Sequence, residues 1–254
     1  MVQPLLTWLR GACASYAFEP RAVLRRSARE RWPLAAESYA ALEKRLAAQG
    51  SLASLPRESA ALANVIEVSV SDHLQRAAEG AKGVQIVRGK ERHYPDLEVS
   101  GPAFGNRVYA VDIKVARKRP NGKRTVSRIS LYTGNTYFRY PDIKWALTLR
   151  PFAEYAGHVD LLALYTFDRS SLSGIRDMEL VVHETWRLGS RERSSTTREY
   201  IGAVNSLEAL RNGKGDFARE EEFYSFWRKF DFKIGKAVQK QLDKLLAEKK
   251  NKKS

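Results

Sequence analysis

The chain has 254 residues and carries 44 Lys plus Arg against 29 Asp plus Glu, which gives a net charge of +15. A surplus of this size favours a polyanionic partner, either nucleic acid or an anionic membrane surface. The single cysteine, Cys13, excludes an intrachain disulfide and a cysteine-based zinc site. No apolar run approaches the ~20 residues of a membrane span. The N-terminus also lacks the apolar stretch of a secretory signal, so we expect a cytoplasmic protein with no membrane partner.

The N-terminal part of the chain, to about residue 80, is predicted to be helical. Residues 1–30 contain short apolar pieces and an arginine-rich run, for which we favour a solvated helix or terminal arm. Helices are predicted over residues 33–49 and 56–79, because each opens with a proline and is followed by a glycine. Glu67 lies at the margin of the apolar stripe of the second helix, so its carboxylate reaches either water or a cleft beside the core.

A sheet is predicted between about residues 81 and 187. The strand-like runs cover residues 84–87, 93–99, 108–115, 125–132, 158–167 and 178–187, and the last two are apolar enough to be central strands. A short helix is predicted over residues 150–156. The Asn121-Gly122 pair predicts a hairpin tip within the basic run 117–124, which either grips phosphates or only makes a loop soluble.

The C-terminal part begins with a change of composition at residue 188. Residues 188–202 are rich in Ser, Thr and Arg, which can contact bases or phosphates, but a solvated or disordered loop fits the same composition. A helix over residues 220–230 carries an aromatic stripe that we expect to be core. A final helix, from about residue 234 to 246, has a lysine-rich outer face.

The run 108–115 holds the residues that indicate chemistry. Because side chains alternate between the faces of a strand, Tyr109, Val111, Ile113 and Val115 share one apolar face, which we expect to pack on the core. Asp112 and Lys114 lie together on the opposite face. If this run pairs with residues 93–99, Asp96 reaches the same place. Two carboxylates and an ammonium that converge in this way can hold a divalent metal and a phosphate together.

The pattern Pro-Asp, a gap and Asp-x-Lys is the signature of the PD-(D/E)xK nucleases. The short pattern alone is weak, because Asp-x-Lys also occurs at residues 142–144 and 231–233. Only the copy at residues 112–114 lies in an alternating strand with a Pro-Asp upstream. The alternative for that copy is a solvated strand face that happens to carry an Asp and a Lys.

Further segments, in order along the chain, resemble the EcoRV family of type II restriction endonucleases from about residue 56 to residue 232. His-Tyr-Pro-Asp at residues 93–96 and Ala-Val-Asp-Ile-Lys at residues 110–114 are similar to the two active-site segments of that family. Glu67 stands where the family has a third acidic residue on a helix. The other matching segments are residues 196–197, 201–202, 213–215 and 222–228.

The resemblance implies a fold, a cofactor and a partner. The fold would be a single α/β (mixed α+β) domain over residues 1–254, with a central mixed β-sheet flanked by helices. Its parts would be an N-terminal helical part (about 1–80), a catalytic sheet (about 81–187), and a recognition loop with a C-terminal helical part (about 188–254). A homodimer in a prokaryotic cytoplasm would clamp double-stranded DNA and cut each strand with Mg²⁺, for which Mn²⁺ substitutes, without a small-molecule cofactor.

The resemblance also implies roles for individual residues. Asp96 and Asp112 would be metal ligands, with Glu67 as an auxiliary catalytic carboxylate and possible ligand, and the carbonyl of Ile113 as a further ligand. Lys114 would orient or activate the attacking water.

Two loops are implied to contact DNA bases. The major-groove loop of the family maps onto Ser194, Ser195, Thr196, Thr197 and Arg198, and its minor-groove loop onto Lys90, Glu91 and Arg92. Both loops depart from the family pattern, so the DNA sequence that is recognised does not transfer. From the basic hairpin, Arg117, Lys118 and Arg119 are assigned to phosphates.

Two other functions compete with a site-specific endonuclease. The same fold serves DNA repair nickases and junction resolvases. In a non-catalytic, basic DNA-binding protein, Asp96, Asp112 and Lys114 would be ordinary surface charges.

Overall fold

The computed structural model describes residues 2–18, 59–90, 92–168, 174–233 and 235–251, with isolated positions at 38, 40, 41 and 44. Its helices are α1 (Gln3–Ala14), α2 (Ser59–Glu79), α3 (Thr136–Arg139), α4 (Leu207–Asn212), α5 (Glu220–Lys229) and α6 (Lys236–Asn251). Its strands are β1 (Gln85–Arg88), β2 (Leu97–Ser100), β3 (Tyr109–Arg117), β4 (Ser130–Tyr132), β5 (His158–Phe167), β6 (Ile175–Glu184), β7 (Gly189–Arg193) and β8 (Ile201–Ala203). The helix predicted over residues 33–49 and the arginine-rich run lie outside the described residues.

Five strands form the main sheet, in the order β1-β2-β3-β5-β6. Strands β3 and β5 are parallel and the other neighbours are antiparallel, so the sheet is mixed, as the sequence predicts. A smaller sheet, β4-β8-β7, lies beside it. Strand β6, predicted to be central, is instead the edge strand of the main sheet, which explains why several of its residues are only half-buried.

The main sheet has a different partner on each face. Helices α1 and α2 cover one face, where Leu9, Ile66 and Val70 are buried against Val111 and Leu161. The smaller sheet and helix α5 cover the other face, and the buried side chains there include Leu162, Leu164, Leu188, Phe223 and Trp227. The two faces of β3 therefore contact two separate hydrophobic cores. Asp112 and Lys114 lie on the face toward the second core.

Two further predictions about elements are wrong. The first helix is not solvated, because its leucines, among them Leu5 and Leu9, are buried in the core. The strand predicted over residues 125–132 is reduced to β4, which pairs with β8 instead of returning along β3. For the run 188–202, the alternative of a solvated loop does not hold along the whole length, because the run includes β7 and the start of β8, which pair as an antiparallel hairpin.

Other predictions are confirmed. Helix α2 ends at Glu79, just before Gly80, and helix α5 buries its aromatic residues Phe223 and Trp227. The basic hairpin turns at Gly122, which has a φ of 65° and donates its backbone N–H to the Arg119 carbonyl at 2.9 Å.

Among the described helices, none is both long and apolar enough to cross a membrane.

The core packing yields a direct test of stability. Leu161 lies in the central strand β5 with no exposed surface. Leu161→Ala should lower the free energy of unfolding by about 2–5 kcal/mol, because a cavity replaces the lost side chain. Urea unfolding measures the change. Leu147→Ala is the matched control: Leu147 is 49% exposed, so the same truncation should change stability by less than about 0.5 kcal/mol. Equal losses in both variants would contradict this placement of the core.

Candidate active site

Strand pairing brings Asp96 and Asp112 together. Strand β2 pairs antiparallel with β3 so that Leu97 lies opposite Val111, which places Asp96, just before β2, beside Asp112. The Asp96 backbone N–H donates to Asp112 Oδ1 at 3.3 Å. Asp96 Oδ2 in turn accepts the Ile113 backbone N–H at 2.6 Å. Each carboxylate is therefore held by the other's strand, which fixes their relative position without a long, flexible side chain.

Lys114 completes the predicted trio. Its ammonium forms an ion pair with Asp112 Oδ2. Burial lowers the pKa of Lys114, but Asp112, Asp160 and Asp96 outweigh that effect, and the net shift is upward. The lysine therefore stays charged at neutral pH and can act as a fixed cation next to the two carboxylates.

Asp160 is a member of this cluster that the sequence analysis missed. Strand β5 pairs parallel with β3 in a register that sets Asp160 next to Asp112. Asp160 is fully buried, and within the described part of the chain neither of its carboxylate oxygens makes a hydrogen bond of normal geometry, although the Thr185 side chain is near enough to lower its pKa. Burial raises its pKa to about 7; the Lys114 ammonium opposes this shift and Asp112 adds to it. The sequence does contain one signal for this residue, because Asp160 is the single acidic residue inside the apolar run 158–167.

Glu67 reaches the same region from helix α2. It is half-buried, and burial raises its pKa, while Lys114 acts to lower it and Asp112 to raise it. Glu67 thus lies within electrostatic reach of the Asp112–Lys114 pair. This placement agrees with the margin position expected from the helical pattern.

The charge balance of this cluster fits a bound cation. Burial and the neighbouring Asp112 raise the pKa of Asp96 to about 8, although Lys114 and the Ile113 N–H act in the opposite direction. Two carboxylates that repel each other in a buried place are stabilised by a divalent ion, and Mg²⁺ takes one or two such ligands plus waters. Among the described residues, no cluster of three or more His, Cys, Asp or Glu side chains is arranged as a complete metal site. The cluster therefore fits a cation for which most of the ligands are water molecules or phosphate oxygens, and only a few are protein side chains.

A buried aromatic cluster supports the segment that ends in Asp96. The Tyr94 hydroxyl and His158 Nδ1 are 2.7 Å apart, and the His158 ring stacks on Phe152 with centroids 3.8 Å apart. Burial lowers the pKa of His158 to about 3, so this imidazole is neutral and acts in packing. The backbone of Tyr94 is also tied to residues 147–149, because its N–H donates to the Leu147 carbonyl at 2.8 Å.

The predicted major-groove loop is the tip of the β7–β8 hairpin. Thr196, Thr197 and Arg198 are exposed, whereas Ser194 and Ser195 are half-buried. Ser195 Oγ accepts the backbone N–H groups of Thr197 and Arg198, both at 3.2 Å, which folds the tip. The Arg198 guanidinium donates to the Tyr200 hydroxyl at 3.2 Å and stays at the surface. The hairpin therefore presents polar side chains from a rigid base.

The predicted minor-groove loop lies on the connection between β1 and β2. Lys90 and Arg92 are exposed at the tip of the β1–β2 connection that leads to Asp96, and Glu91 lies outside the described residues.

Lys118, in the basic hairpin, is not placed as the sequence predicts. Lys118 is only 8% exposed, and its ammonium donates to the Asp177 carbonyl and, at 3.2 Å, to Glu179. The prediction that Lys118 contacts a phosphate is contradicted by this placement, since the charge is already paired inside the protein. Arg117 is half-buried with its guanidinium over the Phe167 ring, whereas Arg119 is exposed.

Comparisons with known proteins identify the family of the chain. A model of the family described as "Restriction endonuclease EcoRV" matches residues 29–250. The type II restriction enzyme EcoRV of Escherichia coli is 20% identical over 202 residues, which cover 73% of this chain and 80% of that enzyme. The resemblance seen in the motifs is thereby confirmed over most of the chain, and the mixed sheet with flanking helices is consistent with the restriction endonuclease fold.

The raised carboxylate pKa values predict an unusual pH dependence. Asp96 and Asp160 keep protons in the native state at a pH where the unfolded chain has released them. The native state then binds more protons, so stability falls as the pH rises through these pKa values. Without divalent cations, these two groups should make the free energy of unfolding decrease from about pH 4, the ordinary carboxylate pKa, to about pH 8, as measured by urea unfolding.

Asp96→Asn and Asp160→Asn should each flatten this slope. Glu98→Gln is the control: Arg150 and Tyr155 bind this carboxylate, and its pKa is lowered despite burial. Its stabilising effect is lost only as the pH falls below the usual carboxylate range. A slope that survives in both aspartate variants would contradict the buried, repelling cluster.

Proposed function

The chain belongs to the EcoRV restriction endonuclease family, and we propose that it is a type II restriction enzyme that uses Mg²⁺ to hydrolyse double-stranded DNA at a specific site. Family membership supports a nuclease. The observation that carries the finer proposal is the meeting of Asp96, Asp112 and Lys114 on adjoining strands, where backbone hydrogen bonds fix both carboxylates.

Each residue of the site has a role in the proposed reaction. Asp96 and Asp112 would hold Mg²⁺, with the Ile113 carbonyl as a third protein ligand and Glu67 as an auxiliary carboxylate. Bound there, Mg²⁺ would supply a more acidic water and neutralise charge on the phosphate. Lys114 carries a charge beside the reacting phosphate, where it orients the attacking water and stabilises the negative charge that develops.

The proposed substrate is double-stranded DNA held by a homodimer. The +15 net charge favours a polyanion and supplies attraction to phosphates of any sequence. Exposed cations such as Arg119 and Lys123 lie on the hairpin that continues from the catalytic strand. Base contacts would come from the β7–β8 hairpin tip, whose exposed Thr and Arg side chains are suited to the edges of bases.

One incubation separates this function from its competitors. Supercoiled plasmid and Mg²⁺ are mixed with the protein, and the products are resolved on a gel. Discrete linear bands are expected for a site-specific endonuclease. Nicked circles would instead indicate a repair nickase, and intact plasmid with a mobility shift would indicate a binding protein. Both of these outcomes would overturn the proposal.

Substitutions in the trio test the site. Asp96→Ala, Asp112→Ala and Lys114→Ala should each reduce cleavage below about 1% of the wild-type rate, a loss of more than ~2.7 kcal/mol of transition-state stabilisation. DNA binding in Ca²⁺ should survive, because these residues act on the reacting phosphate and the loops provide affinity. Cleavage rates and binding titrations measure the two effects.

The chain offers a matched control for these substitutions. Asp142 follows a proline and precedes Ile143-Lys144, so it repeats the short motif, but it is exposed and far along the chain from β3. Asp142→Ala should leave the cleavage rate unchanged. Full activity in Asp96→Ala or Asp112→Ala would remove the site assignment.

Base contacts and phosphate contacts should fail differently. Arg198→Ala should weaken binding to the cognate duplex by about 1–3 kcal/mol and change other duplexes little, since a guanidinium that binds a guanine edge is sequence-specific. Arg119→Ala should weaken all duplexes alike and reduce the salt slope by about one. Titrations on cognate and scrambled duplexes in Ca²⁺, at several salt concentrations, distinguish these outcomes.

A result in which Arg198→Ala weakens both duplexes equally would make the β7–β8 tip a phosphate contact. Sequence specificity would then have to come from other residues, first from Lys90 and Arg92 on the β1–β2 connection.

A further inference from the structure

We infer that Asp160 is a positioning residue of the active site, the carboxylate that receives the Lys114 ammonium when Asp112 turns to a bound metal ion. The inference rests on the proposed function, because it requires a metal at Asp112. It adds a fourth carboxylate, carried by strand β5, to the residues that the sequence motifs identify.

The state of Asp160 requires an explanation. It has no exposed surface, and neither carboxylate oxygen makes a hydrogen bond of normal geometry among the described residues, where the nearby Thr185 side chain acts on it only weakly. Burying a carboxylate without a partner is strongly unfavourable, so such groups are rare in native proteins. Glu98, on the same face of the sheet, shows the usual solution: two bonds to Arg150, at 2.7 and 2.9 Å, and one from Tyr155 at 2.7 Å. Asp160 therefore has unused capacity to accept hydrogen bonds.

Lys114 is the donor within reach of this capacity. Asp112 and Asp160 occupy paired positions on parallel neighbouring strands, so their side chains leave the same face of the sheet side by side. Lys114 lies two residues beyond Asp112 on that face. The charges of Asp112, Asp160 and Asp96 all raise the pKa of Lys114. One ammonium thus stands near two adjacent carboxylates and is paired with only one of them.

The proposed reaction makes the present pairing temporary. Asp112 cannot give the same oxygen fully to Lys114 and to a metal ion. Once Asp112 turns to the ion, Lys114 would be left largely buried with a weakened partner, which is unfavourable for a charged group. Asp160 would remove this penalty, since it lies beside Asp112 on the neighbouring strand and can accept the ammonium in its place. It also keeps Lys114 charged and in place beside the phosphate.

A Mn²⁺ titration tests the inference without depending on cleavage. Binding of Mn²⁺ to the protein is followed by electron paramagnetic resonance of the free ion, first without DNA and then with a duplex present. In Asp160→Asn, Lys114 has no second carboxylate and competes with the ion for Asp112. Mn²⁺ affinity should therefore fall by about tenfold or more, as for other groups that support metal ligands.

The decisive comparison is a double-mutant cycle with Lys114→Met. Without the lysine there is no competition, so Asp160→Asn should change Mn²⁺ affinity by less than about twofold in that background. An equal loss in both backgrounds would mean that Asp160 acts as a direct ligand or a general negative charge, and would overturn the inference. Unchanged affinity in Asp160→Asn alone would also overturn it.

Controls separate failure of the inference from failure of the proposed function. Wild-type protein that binds no Mn²⁺, with or without DNA, would contradict the metal site itself. Glu98→Gln should leave Mn²⁺ affinity unchanged, because that carboxylate is bound by Arg150 and not by Lys114. If Asp160→Asn does not fold, Asp160→Leu, which suits the neighbouring Leu162, takes its place in the same cycle.

Discussion

The alternation of side chains along strand β3 imposes two incompatible environments on one short segment. Val111 and Ile113 must be buried under helices α1 and α2, while Asp112 and Lys114 leave the opposite face. A strand can meet both demands because successive side chains point in opposite directions. A shift of one residue in the pairing of β3 would bury the charges in the helical core and expose the apolar row. The packing of that core therefore fixes the position of the proposed catalytic groups.

The site that this constraint creates is electrostatically unbalanced. Asp96, Asp112 and Asp160 face one ammonium, and the second core around them is built of aromatic and aliphatic side chains. Burial and mutual repulsion raise the pKa values of Asp96 and Asp160, so the metal-free site stores unfavourable free energy. A divalent cation relieves this imbalance. Functional sites are often places where a fold sacrifices stability in this way.

The residues proposed to contact bases lie on a different sheet from those proposed to carry the chemistry. The smaller sheet carries the β7–β8 hairpin, and Ser130 Oγ lies 2.6 Å from Ser194 Oγ at the base of that hairpin. Arg128 likewise binds Ser190 at 3.0 Å. The tip beyond these anchors is exposed and polar, so its residues can differ from those of relatives without disturbing β3. This separation explains how the tip can depart from the family pattern while the fold is kept.

The sequence by itself determined the parts of this protein that depend on local pattern. Alternation identified Asp112 and Lys114 as neighbours on a strand, helical periodicity placed Glu67, and the Asn-Gly pair gave the turn of the basic hairpin. Contacts between distant segments could not be obtained in this way. Asp160 joins the site only because β5 pairs in parallel with β3, 48 residues apart by the register of Asp112 with Asp160. The sequence predicts that Lys118 is a surface cation, but in the structure it pairs with Glu179 of β6. Local propensity acts over a few residues, whereas strand order and burial are set by the packing of the whole chain, which only the tertiary structure reveals.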